Sequence, residues 1–378
     1  MSKPACSGAS RRSSTPAFLF WQFEVNSTNR RQTMKALVYL GSGKKALQDV
    51  AAPKLQDATD AIVRMTHTTI CGSDLHILKG DVPEVTPGRV LGHEGVGVIE
   101  SVGPAVSAVK PGDRVIISCI SACGTCEYCR RGMFSHCSTG GWLLGHTIDG
   151  TQAELVRTPH ANVSLYKVPP GADDEALVML SDILPTGYEC GVLNARIGPS
   201  DTVAIVGAGP VGLAVLLTAR LYSPDELIVI DTDLNRLEVA RAFGATEVID
   251  NGDGNAADEV MQRTGGRGVD VAIEAVGVPA TFELCQAIIA PGGRIANVGV
   301  HGRAVPLHLE TLWSRNITLT TRLVDTTTMP ALLKSVTKGR IEAKRLITHR
   351  FAFSAMLDAY SAFEQAPKTK ALKVIVTV

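Results

Sequence analysis

The feature that most restricts the fold is the run "TVAIVGAGPVGLAVLLTARLY", Thr202 to Tyr222. An apolar strand, a glycine turn and a helical segment follow one another without a break. Within the turn, Gly207, Gly209 and Gly212 are spaced G-x-G-x-x-G, with Pro210 and Val211 between the last two. That spacing alone is a weak signal. Between a strand and a helix it has the context a dinucleotide-binding fingerprint requires. The first glycine permits the tight turn, the second admits a pyrophosphate to the backbone, and the third lets helix and strand pack closely. Asp231 ends the next strand, "ELIVID", nineteen residues after Gly212. A carboxylate there accepts hydrogen bonds from the adenosine ribose and repels a 2′-phosphate, which selects NAD over NADP. Arg236 lies close by and softens that preference. A glycine turn serving only packing is the competing reading, weakened because strand, helix and acid occur together.

From about Pro185 the pattern continues as strand and helix in alternation, through "DLNRLEVARAFGA", "EVID", "DVAIEAVG" and "RIANVGV". Four or five buried strands separated by helical segments describe a parallel, doubly wound α/β sheet. Met34 to about Gly171 reads differently, as short β-like runs such as "AIVRMT", "GVGVIESVG" and "DRVIISC" punctuated by Gly and Pro. This predicts a partly open β-barrel or sandwich carrying functional loops. The last fifty or so residues return to short pieces and finish in the strand "ALKVIVTV". A length of 378 residues fits two domains. Lys+Arg and Asp+Glu both number 37, which argues against nucleic acid or an anionic membrane as a sequence-wide partner. No apolar run approaches the roughly 18 residues of a membrane-spanning helix. Residues 1–33 are rich in Ser, Thr and Arg, with Glu24 the only acid. They read as a disordered extension or an over-extended start, with an organelle transit peptide as the alternative.

Of the nine cysteines, Cys123, Cys126, Cys129 and Cys137 are spaced C-x2-C-x2-C-x7-C. Four thiolates at such intervals can close a tetrahedron around a structural zinc, whose contribution is to folding. An iron–sulfur cluster is the competing metal reading. Four ordinary thiols, a disulfide pair and a nucleic-acid-binding zinc ribbon are the others, and Arg130 and Arg131 alone do not make the basic surface a ribbon needs. An odd, clustered set of cysteines favours metal binding in a reducing compartment, hence a cytoplasmic protein. A filled cage leaves chemistry to "CGSDLH" and "GHEGVG", where Cys71 offers a thiolate and His93 and Glu94 follow twenty-two residues later. A lone His beside a Gly is more often a core histidine. A Cys and a His in glycine-flanked loops, upstream of a second metal signature, read instead as ligands.

With "CGSDLH", "GHEGVGVIESVG", "GDRV", the four-cysteine lobe, "SDILPTG" and "VGAGPVG" in this order, the chain resembles the zinc-dependent medium-chain alcohol dehydrogenases from Met34 to Val378. The resemblance implies a GroES-like catalytic domain over 34–184 and 324–378, and a Rossmann NAD-binding domain over 185–323. It implies that Cys71, His93 and a third residue hold a catalytic zinc, with Glu94 as an inner or alternate ligand. Asp74 matches the carboxylate that orients a zinc-bound histidine. Ser73 and His76 match the proton relay, Lys373 the basic residue for the pyrophosphate, and Thr186 and Gly187 the start of the nicotinamide-facing segment.

The third ligand is expected at Asp182, where many members carry a cysteine; here "MLSDILPTGYECG" has none until Cys190. Carboxylate oxygen is an accepted zinc ligand, so Cys71, His93 and Asp182 leave an open position. The bland alternative is that Asp182 only caps the following helix. The activity implied is reversible oxidation of primary or secondary alcohols with NAD and two zincs per chain, in a homodimer or homotetramer. A polyol, amino-alcohol or formaldehyde dehydrogenase of the same family is the nearest rival, and a non-catalytic zinc-stabilised binding protein the distant one. Trp142, His146 and Cys190 are the candidate pocket residues.

Overall fold

The strand Thr202–Val206 is buried along its whole length, as an apolar run in the middle of a parallel sheet must be. It is the third of six parallel strands, in the order Glu247–Asp250, Glu226–Asp231, Thr202–Val206, Val269–Glu274, Ile289–Asn297 and Thr318–Thr321. Alternate residues feed two cores. Val203 and Ile205 join Val229, Val271 and Ile273 on one face, while Ala204 and Val206 join Ile228, Ile230 and Ala272 on the other. Both faces are therefore covered, the doubly wound arrangement the alternation predicts. The sixth strand, "TLTT", is half-exposed at the sheet edge and carries no apolar run to announce it. Residue 207 requires glycine, with φ at +109°. Gly212 is equally constrained, because a Cβ there would collide with the Gly207 carbonyl.

This computed structural model describes residues 32–378. The extension expected over 1–33 lies outside the described residues except for its last two, of which Thr33 opens the first strand, Thr33–Tyr39. That strand pairs with an exposed partner, Lys45–Ala51. A second, seven-stranded sheet follows the order Ile347–Ala352, Lys373–Thr377, Ala61–Thr69, Gly95–Val102, Arg114–Ile117 and Leu165–Lys167, with Leu155–Thr158 also paired to Ala61–Thr69. All its pairings are antiparallel except that of the two C-terminal strands. The chain's end is thus sewn into the sheet its beginning builds, opposite Thr68 and Thr69. One apolar core runs from Val203 and Ile205 through Leu177 and Leu184 to Val96, Ile116 and Ile375, joining the two sheets.

Candidate active site

Three separate elements converge at the junction of the sheets. Cys71 is the N-cap of the helix Gly72–Lys79, and the Asp74 carboxylate accepts its backbone N–H at 2.9 Å, as in a capping box. His93 and Glu94 immediately precede the buried strand Gly95–Val102. Asp182 opens the turn Ile183–Pro185, which runs into the π-helical Thr186–Leu193. Its carboxylate caps no backbone N–H, so the capping alternative does not hold. Oδ2 lies 3.5 Å from Cys71 Sγ and 3.3 Å from His93 Nε2, while Oδ1 accepts the Thr186 hydroxyl at 2.6 Å. One donor atom from each of Cys71, His93, Glu94 and Asp182 lies within 4.8 Å of all the others.

The electrostatics of this cluster fit a divalent cation. Burial raises the Cys71 thiol pKa, and the Asp182 charge raises it further. Burial also raises Glu94, partly offset by Lys373, and Asp182 adds to the rise. His93 is held well above its usual value because its bonds to Asp182 and Cys71 outweigh burial. Asp182 is held well below the carboxylate range because the interaction with His93 outweighs burial. Three acidic donors crowded with one imidazole, in a site where Glu94 Oε1 makes no hydrogen bond, form a set that zinc satisfies.

Two expectations need correction. Asp74 does not orient His93: its Oδ2 is taken by the Cys71 N–H and by Gln152 Nε2 at 3.1 Å. Its Oδ1 and His93 Nδ1 make no hydrogen bond. Gln152 is in turn fixed by the Tyr360 hydroxyl at 2.8 Å, so Asp74 positions Cys71. Lys373 is not free to meet a diphosphate. It is 1% exposed, and its Nζ donates to Glu94 Oε2 at 2.6 Å and to the Ile70 carbonyl at 3.2 Å. Cys119 was not anticipated: its buried Sγ stands 3.7 Å from Asp182 Oδ1.

Cys71, Ser73, His76, Asp182 and Thr186 line one cavity of about 310 Å³, together with Pro210, Val211 and Lys373. Ser73 Oγ is 3.8 Å from Cys71 Sγ, and His76 stands half-exposed with Nδ1 on Asp81 at 2.9 Å. Gly207, Gly209, Asp231 and Arg236 line a second cavity of about 470 Å³. The two share Ala275 and Val276 in their walls, and so lie side by side. Gly212 lines neither and serves packing. Asp231 also braces the turn, accepting the backbone N–H groups of Ala208 at 2.6 Å and Asp233 at 2.9 Å. Cys190 lines the metal-side cavity, whereas Trp142 sits behind it, edge-on to His93 at 5.9 Å and stacked on His146 at 4.5 Å.

The sulfurs of Cys123, Cys126, Cys129 and Cys137 also lie within 4.8 Å of one another. The thiols are free, so the disulfide alternative fails. Backbone N–H groups point at the sulfurs, from Cys126 to Cys123 at 3.4 Å, from Cys129 to Cys126 at 3.5 Å and from Cys123 to Cys137 at 3.2 Å. Hydrogen bonds from Thr125 bring the Cys123 thiol down to about 5, and the Cys129 N–H brings Cys126 down to about 7. Donors aimed at sulfur stabilise thiolates, the form that binds metal.

Residues 57–170 match the family model of the alcohol dehydrogenase GroES-like domain, and residues 210–338 that of the zinc-binding dehydrogenases. The chain is 38% identical to an alcohol dehydrogenase of Cupriavidus necator over 358 residues, covering 87% of this chain and 95% of that one. The apo zinc-dependent alcohol dehydrogenase 2 from Streptococcus pneumonia superposes with a TM-score of 0.87 at 52% identity, covering 91% of this chain and 98% of that one. The alcohol dehydrogenase TADH from Thermus sp. ATN1 gives a TM-score of 0.85 at 36% identity, over 91% and 100% of the two chains.

Proposed function

Because the chain belongs to the zinc-dependent medium-chain alcohol dehydrogenases, we propose that it interconverts primary or secondary alcohols and their carbonyls with NAD. The observation that carries this reading is the Cys71–His93–Asp182–Glu94 cluster, whose Cys71 and Asp182 line a cavity adjoining the one lined by the glycine turn. Cys71, His93 and Asp182 would hold the catalytic zinc, with Glu94 beside them, and the four-cysteine lobe a structural one. When bound, zinc would supply a Lewis acid for the substrate hydroxyl, and the nicotinamide would supply the hydride acceptor. Ser73 stands beside Cys71, where its hydroxyl can accept the substrate proton as it gives up its own. Half-exposed His76, in the wall of the same cavity, is the group that would hand a proton on to solvent. The Thr186 hydroxyl fixes Asp182, and the N-terminus of Pro210–Ala219 receives the diphosphate. Asp231, at the rim of the second cavity, favours NAD.

Ile183, Val211, Val298, Val324 and Phe363 wall the metal-side cavity. Such walls favour an alcohol with an apolar chain over a polyol, which needs a hydrogen-bond partner for each hydroxyl. We assign 34–184 and 324–378 to the catalytic domain and 185–323 to the coenzyme domain, because no sheet mixes strands of the two. The six parallel strands all fall in 185–323, and the two-stranded and seven-stranded sheets are built from the other ranges. A homo-oligomer is supported by the open edge strand Thr318–Thr321 near exposed Leu309 and Trp313. The free thiols fit a cytoplasmic setting; among the described residues no helix is long and apolar enough to cross a membrane. The test is NADH formation from a panel of alkyl, aryl and polyhydric alcohols, run beside NADP. Turnover of polyols alone, or with NADP alone, would refute the corresponding part of the reading.

A further inference from the structure

Glu189 is a buried carboxylate, 1% exposed, and among the described residues no cation pairs with it. Its oxygens are satisfied by one loop instead. Oε2 accepts the backbone N–H groups of Asp325 at 2.8 Å and Thr326 at 3.1 Å. Oε1 accepts the Thr328 N–H at 2.9 Å and the Thr328 hydroxyl at 2.8 Å. A buried charge without a counter-ion persists only with such a full set of donors.

The loop it grips is strained. Thr326 is β-branched, 1% exposed, and held at a φ of +59°, a left-handed conformation such residues avoid. Strain of this kind survives only where the surroundings over-determine it. Here the Thr326 hydroxyl lies 2.7 Å from Ser118 Oγ, and its carbonyl accepts the Tyr166 hydroxyl at 3.3 Å. The neighbouring Asp325 reaches in two directions. Oδ2 accepts from Arg322 at 2.8 Å, and Oδ1 accepts the backbone N–H of Ser135 at 2.9 Å and its hydroxyl at 2.6 Å. Ser135 lies within the four-cysteine lobe, two residues before Cys137.

Both ends of this connection touch the metal-side cavity. The π-helical segment that carries Glu189 presents Thr186 and Cys190 to it, and the gripped loop presents Arg322, Leu323 and Val324. We propose that Glu189, Asp325 and Ser135 form a tether by which the four-cysteine lobe and the π-helical segment Thr186–Leu193 together set the position of the Arg322–Val324 wall. The lobe would then govern substrate fit as well as folding. Glu189 and Ser135 are positioning residues here, since neither lines the cavity. The proposal rests on that cavity being the alcohol site.

The test compares Ser135→Ala, Ser135→Thr and Glu189→Gln in the zinc-loaded full chain. Hydrogen exchange of the 322–328 segment should quicken by about tenfold in Ser135→Ala, the effect of losing a hydrogen bond to a charged group. Ser135→Thr, which keeps the hydroxyl, should restore protection. Glu189→Gln turns an amide N–H₂ towards N–H donors and should loosen the segment further; if it fails to fold, Ser135→Ala carries the test alone. KM for the alcohol should rise in Ser135→Ala, while kcat, coenzyme KM and zinc content stay near wild type. Wild-type exchange in Ser135→Ala, or a lower Tm with exchange and KM unchanged, overturns the tether. Absence of turnover in the wild type would count against the alcohol reading, and exchange, which needs no turnover, would still decide the tether.

Discussion

Asp182 stands among the donors because the turn that begins with it leaves its carboxylate free of the backbone and aims both oxygens inward. Its Oδ2 faces a thiol and an imidazole, while Thr186 holds the other oxygen. Asp182→Asn keeps the shape but replaces an anionic oxygen with an amide. We expect it to lower zinc content by about one ion per chain and to abolish turnover, with the four-cysteine zinc retained. Metal analysis of purified protein checks this, and a variant with full zinc and near-normal activity would remove Asp182 from the site. Cys126→Ser should act through folding. It removes one of four sulfurs from a cage whose metal contributes about 10 kcal/mol or more to folding in small zinc domains. A large fall in Tm or in soluble yield is the expected result. Stable, soluble, inactive Cys126→Ser protein would reverse the two metal assignments. The four-cysteine cluster, Cys71 and His93 are legible in the sequence because Cys and His are rare and stand close to glycines or other ligands. Asp182, one of 37 acids and set between Ser181 and Ile183, is reached only through the family resemblance. The link between Lys373 and Glu94 is not legible, since it depends on which strand the chain's last residues join, 279 positions away.

At the scale of the element, the turn after Thr202–Val206 depends on Asp231 as much as on its glycines. The Asp231 carboxylate receives the Ala208 and Asp233 N–H groups while also lining the coenzyme cavity. Asp231→Gly should therefore do two things at once. It should narrow the gap between NAD and NADP by removing a charge near the 2′-position, and weaken binding of both by freeing two backbone donors. The ratio of kcat/KM values separates these effects; an unchanged ratio would show that Asp231 braces the turn without reading the ribose. The five strands read from apolar runs are those whose side chains fill a core. Among the strands not read from the sequence, two share one physical reason. Thr318–Thr321 and Lys45–Ala51 are edge elements, half-exposed or more, so no alternation of apolar residues marks them. The π-helical Thr186–Leu193 is equally silent, because its register is a matter of packing around Glu189 and Asp182.

Across the whole molecule, a discontinuous sheet must be closed by contacts between residues far apart in sequence, and some of these are ionic. Arg350, on the returning strand Ile347–Ala352, makes a two-pronged bond to Glu175, Nε to Oε1 at 2.8 Å and Nη2 to Oε2 at 2.9 Å. Lys344 adds 3.0 Å to Glu175 and 2.7 Å to Asp173. Glu175 lies in the helix Asp174–Val178, just ahead of the segment that delivers Asp182. The bond from Arg350, reinforced by Lys344, lowers the Glu175 carboxyl from 4.5 to about 2. A carboxyl whose pKa falls on folding binds protons more readily when unfolded. Its contribution is therefore complete above about 4.5 and is lost as the pH drops towards 2. Arg350 and Lys344 are about half exposed, so the contribution is screened and amounts to about 1 kcal/mol. Glu175→Gln should lower stability by that amount at neutral pH and leave it equal to wild type near pH 2. Comparing the two proteins at each pH cancels the loss of zinc, which affects both alike. Urea unfolding at several pH values is the measurement. A deficit that persists unchanged into strong acid would mean that Glu175 stabilises the return strand by packing and not by charge.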